Sequence, residues 1–210
     1  MKVKTSSGFK SVPESTISMA NDSSSRDVKK IHSTLTAHLF ISGLGSPSYD
    51  LHAAGDNPKN FYLWGAMGGA AMMGLGLAMA RPDQKIAVLT GDGEQLMGLG
   101  ALATIGVAKP ENLAVIVLDN GHFGETGMQQ SHTSQGVDLS AVAASCGFAY
   151  TCTVKDAAGL ADLLYQLQTG NGPLCAVVQV SAAPVPRSLP ILDGAELKNR
   201  FRRALNLDPL

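Results

Sequence analysis

Two short runs of uninterrupted apolar residues, each closed by a polar turn, constrain the fold of this chain most. The run IAVLT at 86–90 ends at the turn GDG at 91–93, and the run LAVIVL at 113–118 ends at DNG at 119–121. Neither run alternates apolar with polar residues, which is typical of strands buried on both faces of a parallel sheet. A helical pattern separates the two runs, so the strands can be neighbours joined by one crossover.

Strands and helices alternate along the rest of the chain. We predict further strands over 38–42, 61–64, 149–154 and 174–180, and helices over 25–35, 67–80, 96–107, 139–146, 157–168 and 196–205. This alternation predicts an α/β fold, a three-layer sandwich with a mostly parallel central sheet. Residues 1–24 are rich in Ser, Thr and Lys without a sustained period, and predict a flexible N-terminal tail before one domain over 25–210.

Composition excludes several classes of protein. Hydrophobic residues make up 45% of the chain and charged residues 16%, which excludes wholesale disorder. The formal net charge is −1 and no long basic run occurs, so we expect neither nucleic acid nor a membrane surface as a partner. The three cysteines lack the spacing of a disulfide framework or a metal site, which favours a cytoplasmic protein. Residues 63–80 carry no charge but include five glycines, which favours a buried helix over a membrane span.

Polar groups converge where the predicted strands end. The turns at 43–46, 65–68, 91–93 and 119–121 should all lie at the carboxyl edge of the sheet, where ligands bind in such folds. Asp92 and Asn120 could share a divalent cation there, and two oxygen ligands suit Mg²⁺, which takes others from substrate phosphates and water. Gly91 and Gly93 leave room for a phosphate beside the start of the next helix. The pattern predicts a magnesium–diphosphate site.

The spacing of these turns also carries a family resemblance. From Gly91 to Asn120 is 30 residues, and GDG followed at that distance by an Asn closing an apolar strand resembles the thiamine diphosphate motif of 2-oxo acid decarboxylases. The resemblance is strongest to the group of sulfopyruvate decarboxylase β subunits and phosphonopyruvate decarboxylases. It is carried by WGAMG at 64–68, GDGEQLMGLGALATIG at 91–106, LDNGHFGETGMQ at 118–129 and LPILDGAELKNRFRRAL at 189–205.

The resemblance implies a thiamine diphosphate-binding fold that holds thiamine diphosphate and Mg²⁺. The metal ligands would be Asp92, the Asn120 side chain and the backbone carbonyl of His122. The Gly65 carbonyl would accept a hydrogen bond from the 4′-amino group, and Met67 would wedge between the two cofactor rings. The cofactor-binding residues would be Gly45, Ser46, Gly65, Met67, Gly91, Gly93, Glu94, Glu125 and Gly127.

Substrate contacts are implied for the segment after the second metal ligand. Thr126 is the candidate catalytic side chain there, facing a small 2-oxo acid. Two departures from the family pattern stand out: Asp119 replaces the usual Asn, and Glu94-Gln95 stands where small residues are frequent. We expect the Glu94 charge to weaken the binding of a diphosphate beside it.

The resemblance covers only the diphosphate-binding domain, over roughly residues 35 to 205. The essential Glu of this family lies on a pyrimidine-binding domain, so we expect it on a partner chain, an α-type subunit. A homodimer of this chain within a larger assembly is also expected. Alternatives left open are a carboligase component like acetolactate synthase and a non-catalytic protein that keeps the cofactor fold. The sequence does not name the 2-oxo acid.

Overall fold

A computed structural model describes residues 23–183 and 186–208 as one α/β domain. The strands are β1 Leu39–Ser42, β2 Asn60–Tyr62, β3 Ile86–Gly91, β4 Leu113–Asp119, β5 His122–Phe123, β6 Gln129–Gln130, β7 Tyr150–Val154 and β8 Leu174–Gln179. The helices are α1 Ser23–Thr34, α2 Ser46–Ala54, α3 Ala70–Ala80, α4 Asp92–Met97, α5 Gly100–Ala108, α6 Leu139–Ser145, α7 Ala157–Thr169 and α8 Gly194–Ala204.

Six of these strands form one sheet in the order β2-β1-β3-β4-β8-β7, and every neighbouring pair is parallel. The predicted three-layer sandwich with its parallel central sheet is therefore confirmed. β3 and β4 are neighbours, with Gly91 opposite Leu118 at the carboxyl end of the pair. The separate antiparallel pair of β5 and β6 lies in the segment after β4.

The central strands bury both faces, which explains their unbroken apolar sequences. Ile86 and Val88 of β3 pack in the core layer that α3, α5 and α6 cover, whereas Ala87 and Leu89 pack in the layer that α1, α2 and α7 cover. Because alternate side chains of a strand point to opposite faces, a sheet between two helical layers requires apolar residues at every position.

Two predicted segments differ from the structure. The segment 43–46 is predicted as a turn, but α2 begins at Ser46 with Pro47 in its first turn, a position that proline favours. The single helix predicted over 96–107 is two helices, α4 and α5, and α4 begins at Asp92. The break between α4 and α5 lies at Gly98. A Cβ on Gly98 would collide with the backbone of Gly68, so no other residue fits there.

The described residues include only the last two residues of the predicted N-terminal tail, but all of the apolar segment 63–80. The predicted flexible tail falls almost entirely on residues 1–22, which lie outside the described residues, and α1 begins at Ser23. Residues 63–80 divide between a turn and the 11-residue α3. Within 23–183 and 186–208, the structure contains no helix with the length and apolar content of a membrane span.

Two glycines of α3 test how closely this helix packs on β3. A Cβ on Gly74 would collide with Val88 Cγ2 and lie 3.2 Å from Leu113 Cδ1, whereas a Cβ on Gly76 would meet nothing within 4 Å. We expect Gly74→Ala to lower the free energy of unfolding by about 1–3 kcal/mol through overpacking. Gly76→Ala, the matched control, should raise it by about 0.5–1 kcal/mol because alanine favours the helix. Urea unfolding followed by circular dichroism measures both, and equal effects would contradict this packing.

Candidate cofactor and metal site

One cavity of about 360 Å³ opens at the carboxyl edge of the sheet. Residues from all four predicted turn regions border it, including Gly45, Met67, Asp92 and Asn120. The parallel sheet produces this convergence, because the carboxyl ends of all its strands lie at one edge. The volume is in the range of small-molecule binding pockets, which is roughly 300–1,000 Å³.

The predicted metal ligand Asp92 is the first residue of α4 and is 2% exposed. Its Oδ2 accepts a hydrogen bond from the Ser131 hydroxyl, and Thr133 Oγ1 lies 3.3 Å from the same oxygen. Burial raises the pKa of Asp92, while the Ser131 hydrogen bond acts in the opposite direction. Both of these hydroxyls lie on Oδ2, which makes Oδ1 the candidate oxygen for a ligand in the cavity. The backbone N–H of Gly93 also hydrogen-bonds to the carboxylate.

The second predicted ligand, Asn120, borders the same cavity just past β4. Its Oδ1 accepts a hydrogen bond of 2.9 Å from the backbone N–H of His122, and this bond fixes the turn. A side-chain amide oxygen has two lone pairs, so one remains for a cation. The His122 ring contacts the Asn120 carbonyl through Nδ1 at 2.8 Å and His122 also borders the cavity.

Asp119, which replaces the usual Asn of the family pattern, does not border the cavity. Its Oδ1 accepts hydrogen bonds from the Gly121 N–H at 2.9 Å and from Thr133 Oγ1 at 2.7 Å. Thr133 therefore bridges Asp119 to Asp92, and this second carboxylate serves the loop rather than the cavity.

No group of three or more His, Cys, Asp or Glu side chains suited to a metal ion occurs among residues 23–183 and 186–208. A metal in the cavity would therefore depend on the mixed oxygen donors of Asp92, Asn120 and the His122 carbonyl. Oxygen donors of this kind fit Mg²⁺, which keeps several ligands from water and phosphate. The residues present are thus compatible with a magnesium–diphosphate group.

Two glycines of the cavity tolerate no side chain. A Cβ on Gly93 would lie 2.6 Å from Cδ1 of Phe123, whose ring covers the GDG turn. Gly45 has a φ of 85°, and a Cβ there would lie 3.1 Å from the Glu125 side chain. Both glycines are buried and border the cavity, so neither places a side chain between its backbone and the cavity.

Most of the predicted site residues border the cavity, and two do not. Gly65 and Gly127 are exposed turn glycines with φ values of 74° and 118°, and they lie outside the lining of the cavity. Their predicted cofactor contacts stay predictions. The predicted residues that border the cavity are Gly45, Ser46, Met67, Gly91, Asp92, Gly93, Glu94, Asn120, His122, Glu125 and Thr126.

Glu94 and Thr126 are both hydrogen-bonded within the chain. Thr90 donates a hydrogen bond of 2.6 Å to Glu94 Oε2, and burial raises the pKa of Glu94. The sequence places the Glu94 charge beside a diphosphate; in the structure the residue is 3% exposed and its carboxylate is hydrogen-bonded to the protein. Thr126 is exposed and donates through Oγ1 to Gln129 Oε1 at 2.9 Å.

The structure adds two charged cavity residues that the sequence did not single out, Asp50 and Arg187. Asp50 of α2 is 4% exposed, and burial raises its pKa to about 6. The Arg187 guanidinium carbon lies 5.4 Å from the centre of the Tyr49 ring, and Arg187 Nη2 lies 4.0 Å from Glu125 Oε1. No local motif marks these residues, because Asp50 lies in an unpredicted helix and Arg187 in an irregular segment after β8.

Comparison with known proteins places this site in a family. Residues 48–180 match the family model of the thiamine pyrophosphate enzyme, C-terminal TPP binding domain. The chain belongs to the thiamine pyrophosphate enzyme family. The predicted resemblance and the predicted thiamine diphosphate fold are thereby confirmed.

Individual relatives agree with that assignment. The chain is 40% identical over 176 residues to a phosphonopyruvate decarboxylase of Streptomyces viridochromogenes, covering 80% of this chain and 42% of the relative. It is 36% identical over 174 residues to a sulfopyruvate decarboxylase subunit beta of Methanothermobacter thermautotrophicus, covering 83% of this chain and 90% of the relative. The chain thus spans less than half of the first relative and nearly all of the second.

A solved structure supports the fold of this thiamine pyrophosphate enzyme domain. The benzoylformate decarboxylase of Polynucleobacter necessarius superposes with a TM-score of 0.62 at 14% identity. The match covers 78% of this chain and 34% of the benzoylformate decarboxylase. At this identity the likeness concerns the architecture alone.

The hydroxyl of Ser131 offers a test of how Asp92 is held. Ser131 is 0% exposed and donates to Asp92 Oδ2. We expect Ser131→Ala to lower the free energy of unfolding by about 1–3 kcal/mol, because it leaves a buried carboxylate with one donor fewer. The control Ser145→Ala removes an exposed hydroxyl bonded within α6, and it should change stability by less than about 0.5 kcal/mol. Denaturant unfolding without added metal measures both, and indistinguishable stabilities would contradict the role of Ser131.

Proposed function

We propose that this chain is the diphosphate-binding, β-type subunit of a thiamine diphosphate- and Mg²⁺-dependent decarboxylase. Its substrate would be a 2-oxo acid like sulfopyruvate or phosphonopyruvate, in keeping with the names of its relatives. The observation that carries the proposal is the pairing of Asp92 and Asn120 in one glycine-lined cavity.

Different residues of the cavity would bind different parts of the cofactor. Asp92, Asn120 and the His122 carbonyl would hold Mg²⁺. The backbone at Gly45 and Gly93 would bind the diphosphate. Met67, on the other border of the cavity, would contact the ring portion, where a flexible thioether adapts well. When bound, thiamine diphosphate supplies the carbon nucleophile and the electron sink that decarboxylation needs.

Asp50 is positioned to hold a proton in the cavity. Release of carbon dioxide from a 2-oxo acid requires that a proton replace it on the same carbon. Asp50 borders the cavity, and its pKa of about 6 keeps a fraction of the carboxyl protonated near neutral pH. Burial alone raises this pKa, so the proton is held by the apolar surroundings of the carboxyl.

Arg187 matches a substrate that carries a second anion. Among the described residues, Arg187 is the one Arg or Lys side chain that borders the cavity. A guanidinium binds the oxygens of a sulfonate or phosphonate through charge-assisted hydrogen bonds, and the Tyr49 ring beneath it limits its orientations. We therefore assign Arg187 to the distal anion of the acid.

A partner chain is supported by an apolar surface beside the cavity. α3 is apolar on all sides, and its outer side exposes Met72, Met73 and Met79 by 41%, 38% and 67%. Val107 of α5 is 85% exposed, and α3 packs next to α5. Exposed apolar patches of this kind mark contact surfaces.

This surface adjoins the turn that carries Met67, so a chain bound to it would reach the cavity. We assign it to the pyrimidine-binding, α-type subunit, which would contribute the essential Glu. A homodimer of this chain within the larger assembly is part of the same proposal.

Decarboxylation should require both chains. We expect the purified full chain with Mg²⁺ and thiamine diphosphate to release no carbon dioxide from sulfopyruvate or phosphonopyruvate. Addition of a pyrimidine-domain chain from the same source should start release, because the essential Glu then enters the site. Coupled detection of carbon dioxide measures both conditions.

Three results would contradict parts of the proposal. Robust turnover by the single chain would exclude the need for a partner. Acetolactate formed from pyruvate by the two-chain complex would indicate a carboligase. Complete absence of thiamine diphosphate binding by the complex would favour a non-catalytic protein that keeps the fold.

The role of Arg187 predicts a change in KM that depends on the substrate. In the active complex, Arg187→Ala should raise the KM for sulfopyruvate by at least about tenfold, because it removes a charge-assisted contact. The KM for pyruvate, which lacks the distal anion, should change little. Arg203→Ala is the matched control, since Arg203 forms an exposed ion pair with Glu196 on α8. Equal changes in the KM for sulfopyruvate and for pyruvate would show that Arg187 does not bind the distal anion.

A further inference from the structure

The carboxylate of Glu94 joins three segments that are distant in the sequence. Oε2 accepts a hydrogen bond of 2.6 Å from Thr90 at the end of β3, and Oε1 accepts one of 3.4 Å from the backbone N–H of Ala70. The same carboxylate fills the space in which a side chain on Gly43, just past β1, would lie. The ends of two strands and the start of α3 therefore meet at one buried carboxylate.

Glu94 supplies the N-terminal cap that α3 lacks in its own sequence. The capping position of α3 is Gly69, which has no side chain to accept a hydrogen bond, and the first turn contains no acidic residue. Helices usually satisfy these N–H groups with a side-chain oxygen, and a negative charge near the N-terminus is favourable. A residue of α4 fulfils both requirements here.

The segment held in this way is the turn 64–69, which leads into α3. Met67 in this turn borders the cavity, and Gly65 is its predicted contact with the 4′-amino group. The turn also rests on the far end of α4, because a Cβ on Gly68 would lie 2.8 Å from the Gly98 nitrogen. Both ends of α4 thus support the turn, and the first residue of α4 is Asp92.

We propose that Glu94 is a positioning residue that fixes the turn 64–69 relative to the metal ligand Asp92. The inference rests on the proposed function, because that function assigns the turn to the ring portion of the cofactor and Asp92 to its diphosphate end. α4 then sets the spacing between the two ends of the cofactor. In this role Glu94 acts through its side chain, which is hydrogen-bonded within the protein.

The first test is amide hydrogen exchange on the full chain without ligand. In Glu94→Ala, exchange at the Ala70 N–H should be at least about tenfold faster than in the wild type, because its acceptor is lost. Glu94→Gln keeps an acceptor oxygen and should remain close to the wild type. Leu163→Ala is the stability control, since Leu163 is 0% exposed in the opposite core layer and does not adjoin the turn.

The second test compares two ligands by NMR titration of the same variants with Mg²⁺. Pyrophosphate probes the diphosphate end alone, and thiamine diphosphate probes both ends. Glu94→Ala should weaken thiamine diphosphate binding by at least about tenfold while pyrophosphate binding changes less than about twofold. Glu94→Gln should restore most of the thiamine diphosphate affinity.

The outcomes separate this inference from the proposed function. Unchanged exchange and unchanged thiamine diphosphate affinity in Glu94→Ala would overturn the inference. Equal weakening of both ligands would also overturn it, because the effect would then act on the Asp92 end. If the wild-type chain bound neither ligand, the proposed function would fail, and the exchange rates would still decide whether Glu94 holds the turn.

Discussion

The parallel pairing of β3 with β4 is the constraint on which the rest of the site depends. Because Gly91 lies opposite Leu118, the residues that follow each strand emerge side by side at the carboxyl edge. Asp92 begins α4 immediately after β3, and Asn120 turns the chain immediately after β4. A register shift of one residue would exchange the faces of every strand residue, so the apolar core and the polar edge are specified together.

The loop after β4 stabilises this arrangement through hydrogen bonds to the residues at the strand ends. The segment returns at Ser131, which bonds Asp92, and at Thr133, which bonds Asp119. Glu94 anchors the start of α3 and the turn before it. The short α4 therefore carries the proposed metal ligand Asp92 at its start and supports the turn 64–69, which brings Met67 to the border of the cavity.

The sequence alone predicted the parallel sheet and the adjacency of β3 and β4, because unbroken apolar runs require burial on both faces. It also predicted which polar residues follow the strands. It failed at α2, since the Gly, Ser and Pro residues that suggest a turn also begin helices. It failed at the break between α4 and α5, which depends on contact with a distant turn. Asp50 and Arg187 reach the cavity only through the tertiary packing of such segments, so no local pattern could reveal them.

The most direct measurement is a crystal structure of the full chain with Mg²⁺ and thiamine diphosphate. The account predicts one metal ion bonded to Asp92 Oδ1 and Asn120 Oδ1 at about 2.0–2.1 Å and bridging to the diphosphate. A cofactor bound elsewhere, or one whose diphosphate lies in this cavity without a metal between these two oxygens, would contradict it.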